Sequence, residues 1–130
     1  MSRRSIYLDG LTHGGNPIPL ACVIGGHLYS GGVVGRDRAT GEIPADAAEQ
    51  ARLMFANVAD ILAAAGGSLD DVAKVDVVVA ESADRTVLND EWVRRFPDPQ
   101  QRPARKTDIG SLPTGTRFQC QFVAILSDSV

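Results

Sequence analysis

Arg105 stands in the run Arg102-Pro103-Ala104-Arg105-Lys106, at the mouth of a strand and just after a helix stop. An arginine held there can offer a planar fork of N–H donors to a carboxylate or phosphate. The plain alternative is a solvated surface arginine. Ser30-Gly31-Gly32 closes an earlier strand. Backbone N–H groups left free in such a turn can bind an anion or oxyanion, though most glycine turns are only turns. Cys120 alternates with Phe118 and Phe122. That pattern fits a small buried hydrophobe better than a nucleophile, and Cys22 reads the same way. His13 and His27 are too few and too far apart for a metal-ligand pattern, and no HxH or HExxH occurs. His13 reads as a solvated loop histidine; a mobile acid or base is the sharper alternative. Asp70-Asp71 reads as a solvated cap and Arg94-Arg95 as a solvated helix face. There is no GxGxxG, no Walker loop and no GxSxG.

The elements that must position these residues can be read in order. Ser5–Asp9 is a short strand, followed by a Gly-, Asn- and Pro-rich loop to Pro19. Ala21–Ile24 and His27–Ser30 flank Gly25-Gly26 and read as a hairpin, because both glycines tolerate positive φ. Gly31–Gly41 reads as loop. The strongest element is a helix over Pro44–Ala65, with Asp46 and Glu49 spaced as a capping box. Its apolar stripe is Ala47, Ala51, Met54, Val58, Ile61 and Ala65, widened by Phe55 and Leu62, and Gly66-Gly67 ends it. Val72–Ala80 is a β-branched strand. A second helix runs Ser82–Phe96, with Ser82 as N-cap, Val87, Leu88, Trp92 and Phe96 inward, and Pro97 and Pro99 as its stop. Lys106–Ile109 and Thr116–Leu126 are the last strands. The order β-ββ-α-β-α-ββ predicts an α+β domain spanning residues 1–130.

With 130 residues, 44% hydrophobic and 22% charged, the chain has ordinary globular usage, which excludes a disordered or collagen-like chain. A net charge of -3 argues against broad attraction to nucleic acid or anionic membrane. Aromatic content of 5% offers no base-stacking platform. The start, MSRRSIYLDG, has no apolar run of signal-peptide length, and no stretch is long enough to span a bilayer. The expectation is a soluble cytoplasmic protein with reduced thiols. Two helices can cover one face of the sheet only. The other face, carrying Val78 among others, is too apolar to stay wet, which predicts a homo-oligomer packed sheet against sheet.

Several short pieces, in order and over nearly the whole length, resemble the RidA/YjgF family of reactive-intermediate (enamine/imine) deaminases. They are Tyr29-Ser30-Gly31, Thr40-Gly41-Glu42-Ile43-Pro44-Ala45-Asp46, Gln50-Ala51, Asn57-Val58, Ala64-Ala65-Gly66, Leu88-Asn89, Trp92, Arg102-Pro103-Ala104-Arg105 and Leu112-Pro113. The resemblance implies a chorismate-mutase-like fold, a mixed sheet with two helices on one face, and a homotrimer with ligand clefts between subunits. It implies that Arg105 holds a substrate carboxylate and that Ser30, Gly31, Asn89 and residues of the last strands complete the pocket. The implied reaction is hydrolysis of a 2-enamine or 2-imino acid to a 2-keto acid and ammonia, with no metal and no organic cofactor.

The chain departs from the family pattern at three places, one being the tyrosine expected before the hairpin, where Pro19 or Leu20 falls. Thr107 stands where members often carry cysteine. Gln119, counted from Leu112-Pro113, stands where they carry a water-activating glutamate, with Gln121 next on the same face. Glutamine can orient water but cannot take its proton. A protonated imine is already electrophilic, so a water held between Thr107 Oγ and Gln119 can suffice. Two other functions compete: a non-catalytic trimer that binds or senses a small carboxylate, and an endoribonuclease or translation inhibitor. The acidic balance and the absence of a His-based acid/base pair weigh against the last.

Overall fold

The computed structural model describes residues 2–127. Its strands and helices are β1 (Arg4–Ile6), β2 (Ala21–Ile24), β3 (His27–Ser30), β4 (Val33–Val34), α1 (Ala47–Ala64), β5 (Val72–Val79), α2 (Arg85–Arg95), β6 (Ala104–Ile109) and β7 (Phe118–Ile125). The strands form one sheet in the order β1-β2-β3-β7-β5-β6, and β4 continues the edge of β7 that β3 leaves. β5 and β6 run parallel; the other pairs are antiparallel, so the sheet is mixed. A parallel pair needs a long crossover, and α2 supplies it. Among the described residues, β6 lies at the sheet edge and is laddered only to β5.

The expected β2–β3 hairpin forms, with Gly25 and Gly26 at φ of 56° and 78°. Two consecutive left-handed residues are what a type I′ two-residue turn requires. The Gly31–Gly41 segment is not all loop: Val33 and Val34 pair with Cys120 and Gln119.

Helix α1 starts at Ala47, three residues after Pro44. Asp46 Oδ2 accepts from the Glu49 N–H at 3.0 Å, but the Glu49 carboxylate bonds Arg52 rather than returning to the cap. Half of the capping box is therefore present. The end is a Schellman turn: the Gly66 N–H donates to Ala63 and the Gly67 N–H to Leu62, with Gly66 at φ 87°. The predicted stripe is buried except for Ala47 in the first turn, which is half-buried, and Gln50 and Asn57 are buried with it. Gln50 donates to the Pro44 and Gly115 carbonyls at 2.7 and 2.8 Å and accepts from the Arg117 N–H at 2.8 Å. Asn57 donates to the Val34 and Arg36 carbonyls. These two amides satisfy irregular backbone under the helix, which is why polar side chains belong in this core.

Helix α2 begins later than expected. Ser82–Asp84 form a 3₁₀ turn, and Ser82 does not cap α2. Asp84, at the N-cap position, makes no capping bond because both its oxygens take the Arg117 guanidinium at 2.8 Å. Leu88, Trp92 and Phe96 are buried, and Phe55, Trp92 and Phe96 pack with centroid separations of 4.8 to 6.3 Å.

The pleat sorts the strands into two faces. Val75, Val77, Val79, Phe118, Cys120, Phe122 and Ala124 turn toward the helices and are buried. The outer face carries Tyr29, Lys74, Asp76, Val78, Gln119, Gln121, Val123 and Ile125. Tyr29 and Ile125 are 50% and 47% exposed, so the outer face is partly apolar, as the sequence predicts.

Candidate functional site

Arg105 is the second residue of β6 rather than a residue outside the strand. It pairs with Val75 and so shares the helix face of the sheet. Its Nη2 donates to Asn89 Oδ1 at 2.6 Å, and its guanidinium carbon lies 4.9 Å from the centre of the Trp92 ring. Asn89 and Trp92 are three residues apart on α2 and hence on one stripe. Sequence reading placed Trp92 in the core and missed its second role as a seat for the guanidinium. Among the described residues, no carboxylate pairs with Arg105. Its Nη1 is buried with no partner. Burial first, then repulsion from Arg85, lowers the pKa of Arg105. The group is a cation with a neutral hydrogen-bond partner, an aromatic seat and no counter-ion.

Thr107 pairs with Val77 and lies on the same face as Arg105, two residues along β6. Gln119 pairs with Val78 and lies on the opposite face. Two strand spacings, roughly 9–10 Å, and the thickness of the sheet separate Thr107 from Gln119. Within one chain they cannot hold one water between them.

The second group of expected residues clusters at the β3–β4 break. Ser30 Oγ accepts from the Phe122 N–H and donates to the Gly31 carbonyl, each at 2.8 Å. The Gly31 N–H is not free, since it donates to the Leu20 carbonyl at 2.9 Å. This turn therefore offers lone pairs, on Ser30 Oγ and the Gly31 carbonyl, and the Gly31 amide is no anion hole. Gly32 packs against the Gln119 amide so closely that a Cβ on Gly32 would run into Nε2. His13 is not a solvated loop residue. It is half-buried, with ring nitrogens 3.3 Å from the Ile18 and Gly32 carbonyls. It pins the long loop onto the glycine turn.

Gln119 and Gln121 line an outer-face cavity of about 430 Å³ with Gly32, Asp76, Lys106 and Asp108. Lys74–Asp76 and Lys106–Asp108 pair at 3.4 and 3.5 Å, so this cavity is internally neutralised. Cys120 is 1% exposed, and burial pushes its thiol up to about 12, which makes it inert as a nucleophile. Ser68 and Asp71 form a reciprocal capping box, so Asp71 is a cap as expected. Arg94 and Arg95 both bond Glu91 on their own helix. Among the described residues, no group of three or more His, Cys, Asp or Glu could hold a metal ion. Nor is any helix there long and apolar enough to cross a membrane.

The expected residues thus fall into two separate groups: Arg105, Asn89 and Thr107 on the helix side of the sheet margin, and Ser30 and Gly31 at the β3–β4 break with Gln119 on the outer face. Comparison with known proteins gives this arrangement a context. The family model described as Endoribonuclease L-PSP matches residues 18–126. The 2-iminobutanoate/2-iminopropanoate deaminase of Bos taurus is 31% identical over 111 residues, covering 84% of this chain and 80% of that one. The structure of RidA from the Antarctic bacterium Psychrobacter sp. PAMC 21119 superposes with a TM-score of 0.85 at 30% identity, covering 95% of this chain and 99% of the other. That of E. coli TdcF with bound serine gives 0.84 at 28%, covering 95% and 100%. On the family match and these relatives, the chain belongs to the endoribonuclease L-PSP family, the RidA/YjgF group of reactive-intermediate deaminases.

Proposed function

We propose that this protein is a soluble cytoplasmic homotrimer of chorismate-mutase-like fold that hydrolyses 2-imino and 2-enamine acids to 2-oxo acids and ammonia. Each cleft takes Arg105, Asn89 and Thr107 from one protomer and Ser30, Gly31 and Gln119 from its neighbour. The observation that carries this reading is the uncompensated guanidinium of Arg105, with Nη1 unpartnered and Nη2 on a neutral amide. A cation kept without a counter-ion is arranged for an anion that arrives with the ligand. The bovine relative's name gives the substrate class, and the serine bound to TdcF is a small molecule bearing a carboxylate. The partly apolar outer face supports the assembly.

The chemistry follows from the residue types. Arg105 binds the substrate carboxylate. Ser30 Oγ and the Gly31 carbonyl, both with spare lone pairs, accept from the iminium N–H. Gln119 of one protomer and Thr107 of the other orient a water against the imine carbon. The C–O bond forms as the C=N π pair moves to nitrogen. A water proton then passes from oxygen to that nitrogen, and the C–N bond breaks as the carbonyl forms. The second hydroxyl proton leaves with the amine, giving a 2-oxo acid and ammonium. The substrate nitrogen is itself the base, so a glutamine that only positions water is adequate.

The test is an imine-trapping assay. An amino-acid oxidase generates 2-imino acids, and semicarbazide captures what the protein has not hydrolysed. Loss of trapped product that depends on Arg105 is the expected result. A folded trimer that binds 2-oxobutanoate but turns nothing over would instead establish a binding module. Arg105→Ala and Gly32→Leu chains, each inactive alone, should regain activity when refolded together. No regain would place the two half-sites in separate functions.

A further inference from the structure

Arg105 is not the only cation on its stripe of α2. Arg85, Asn89 and Trp92 fall at i, i+4 and i+7, one line along the helix. Asn89 and Trp92 both touch the Arg105 guanidinium, at 2.6 and 4.9 Å. Arg85 sits about 6 Å further along the axis, at 1.5 Å per residue. It is exposed, and no carboxylate among the described residues pairs with it. Its positive charge is felt at Arg105, where it adds to burial in lowering that group's pKa.

Three acids of neighbouring elements are engaged elsewhere, and Glu81, exposed four residues before Arg85, makes no ion pair among the described residues. Asp84 takes Arg117, Glu91 takes Arg94 and Arg95, and Asp108 takes Lys106. Asp90 projects about 100° round the helix from Asn89. Arg85 also opens α2, where the helix dipole disfavours a cation, and no acidic residue in the first turn offsets it. Two like charges on one stripe, neither neutralised from within the chain, repel each other until an anion joins them. A ligand with one carboxylate answers only Arg105.

We infer that the cleft is built for dicarboxylic 2-imino and 2-oxo acids, with Arg105 holding the carboxylate beside the reacting carbon and Arg85 the distal one. The assignment rests on the reading of Arg105 as a carboxylate anchor and adds the substrate class. The carboxylates of the extended 2-oxo product of such a substrate stand about one helical turn apart, comparable with the axial offset between Arg85 and Asn89, the residue that holds Arg105. Reactions that oxidise acidic amino acids at the α-carbon are the class that would supply it.

Calorimetric titration of the intact protein with 2-oxobutanoate and with 2-oxoglutarate tests this without needing turnover. The wild type should bind 2-oxoglutarate at least tenfold more tightly. Arg85→Gln should weaken 2-oxoglutarate at least tenfold more than it weakens 2-oxobutanoate. Arg94→Gln, an exposed arginine bonded to Glu91, should change neither and controls for net charge. Equal affinity for the two acids, or an equal loss of both in Arg85→Gln, overturns the dicarboxylate assignment and leaves Arg105 standing. Retention of both ligands in Arg105→Ala overturns the anchor itself, and absence of binding by either acid overturns both.

Discussion

Arg105 is held by a neutral acceptor, and replacing Asn89 by aspartate makes that acceptor an anion of nearly the same shape. The hydrogen bond to Nη2, 2.6 Å in length, would be kept and strengthened. The folded chain should therefore be no less stable, and its melting temperature equal or slightly higher. Binding should go the other way, because the guanidinium then has an internal counter-ion that a substrate carboxylate must outcompete. Two unit charges about 4 Å apart interact by about 4 kcal/mol at an effective dielectric of 20. A fully exposed pair is worth ~1 kcal/mol or less. Arg105 is half-buried, between these limits, so about 2 kcal/mol is expected, or roughly thirtyfold in affinity. Titration of Asn89→Asp with 2-oxobutanoate reads this directly, and KM in the imine-trapping assay should rise in parallel. Unchanged or tighter binding by a folded Asn89→Asp protein would show that the free charge of Arg105 is not what the ligand meets.

Three further outcomes follow from the same contacts. Gln50→Leu leaves the Pro44 and Gly115 carbonyls and the Arg117 N–H without partners in the core, at a cost of about 3 kcal/mol by urea unfolding; a loss under ~1 kcal/mol would mean water replaces the amide there. Gly32→Ala has no backbone strain to overcome, but its Cβ must displace the Gln119 amide, so imine hydrolysis should fall several-fold with little change in melting temperature. Cys120 keeps its proton up to about 12 when folded, against an ordinary 9.0, so the folded state binds more protons than the unfolded chain in that window. Stability from this thiol is intact below pH 9 and falls as pH rises toward 12, by about 1.4 kcal/mol between pH 8 and 10. Cys120→Ala should lack that part of the decline, and parallel pH profiles for the two proteins would contradict it.

Helix α1 was legible because its apolar residues recur at helical spacing and Gly66 can take the left-handed turn that ends it. The hairpin was legible for the same local reason. What local pattern could not show depends on partners far along the chain. Val33–Val34 is a strand only because Cys120 and Gln119 lie beside it. Asp84 fails to cap α2 because Arg117, 33 residues on, claims both its oxygens. The face of Arg105 is set by its register with Val75, not by its neighbours in sequence. Arg105 was therefore readable as a candidate, whereas its separation from Gln119 across the sheet was not. The spacing of Arg85, Asn89 and Trp92 was visible as an i, i+4, i+7 series, but it acquires meaning only once Arg105 is seen to lie on it.

The position of β6 at the sheet margin bears on how the protein would fail under stress. Among the described residues its backbone ladder runs to β5 alone, while β5 is held on both sides. An edge strand can open without the centre of the sheet, so its amides should exchange with solvent hydrogen at a lower free-energy cost than those of β5 or β7. Arg105 and Thr107 ride on that strand. Function would then be lost by a partial opening, at denaturant concentrations where the central strands remain intact, and a bound acid gripping Arg105 would close that opening and bring β6 up to the protection of the core.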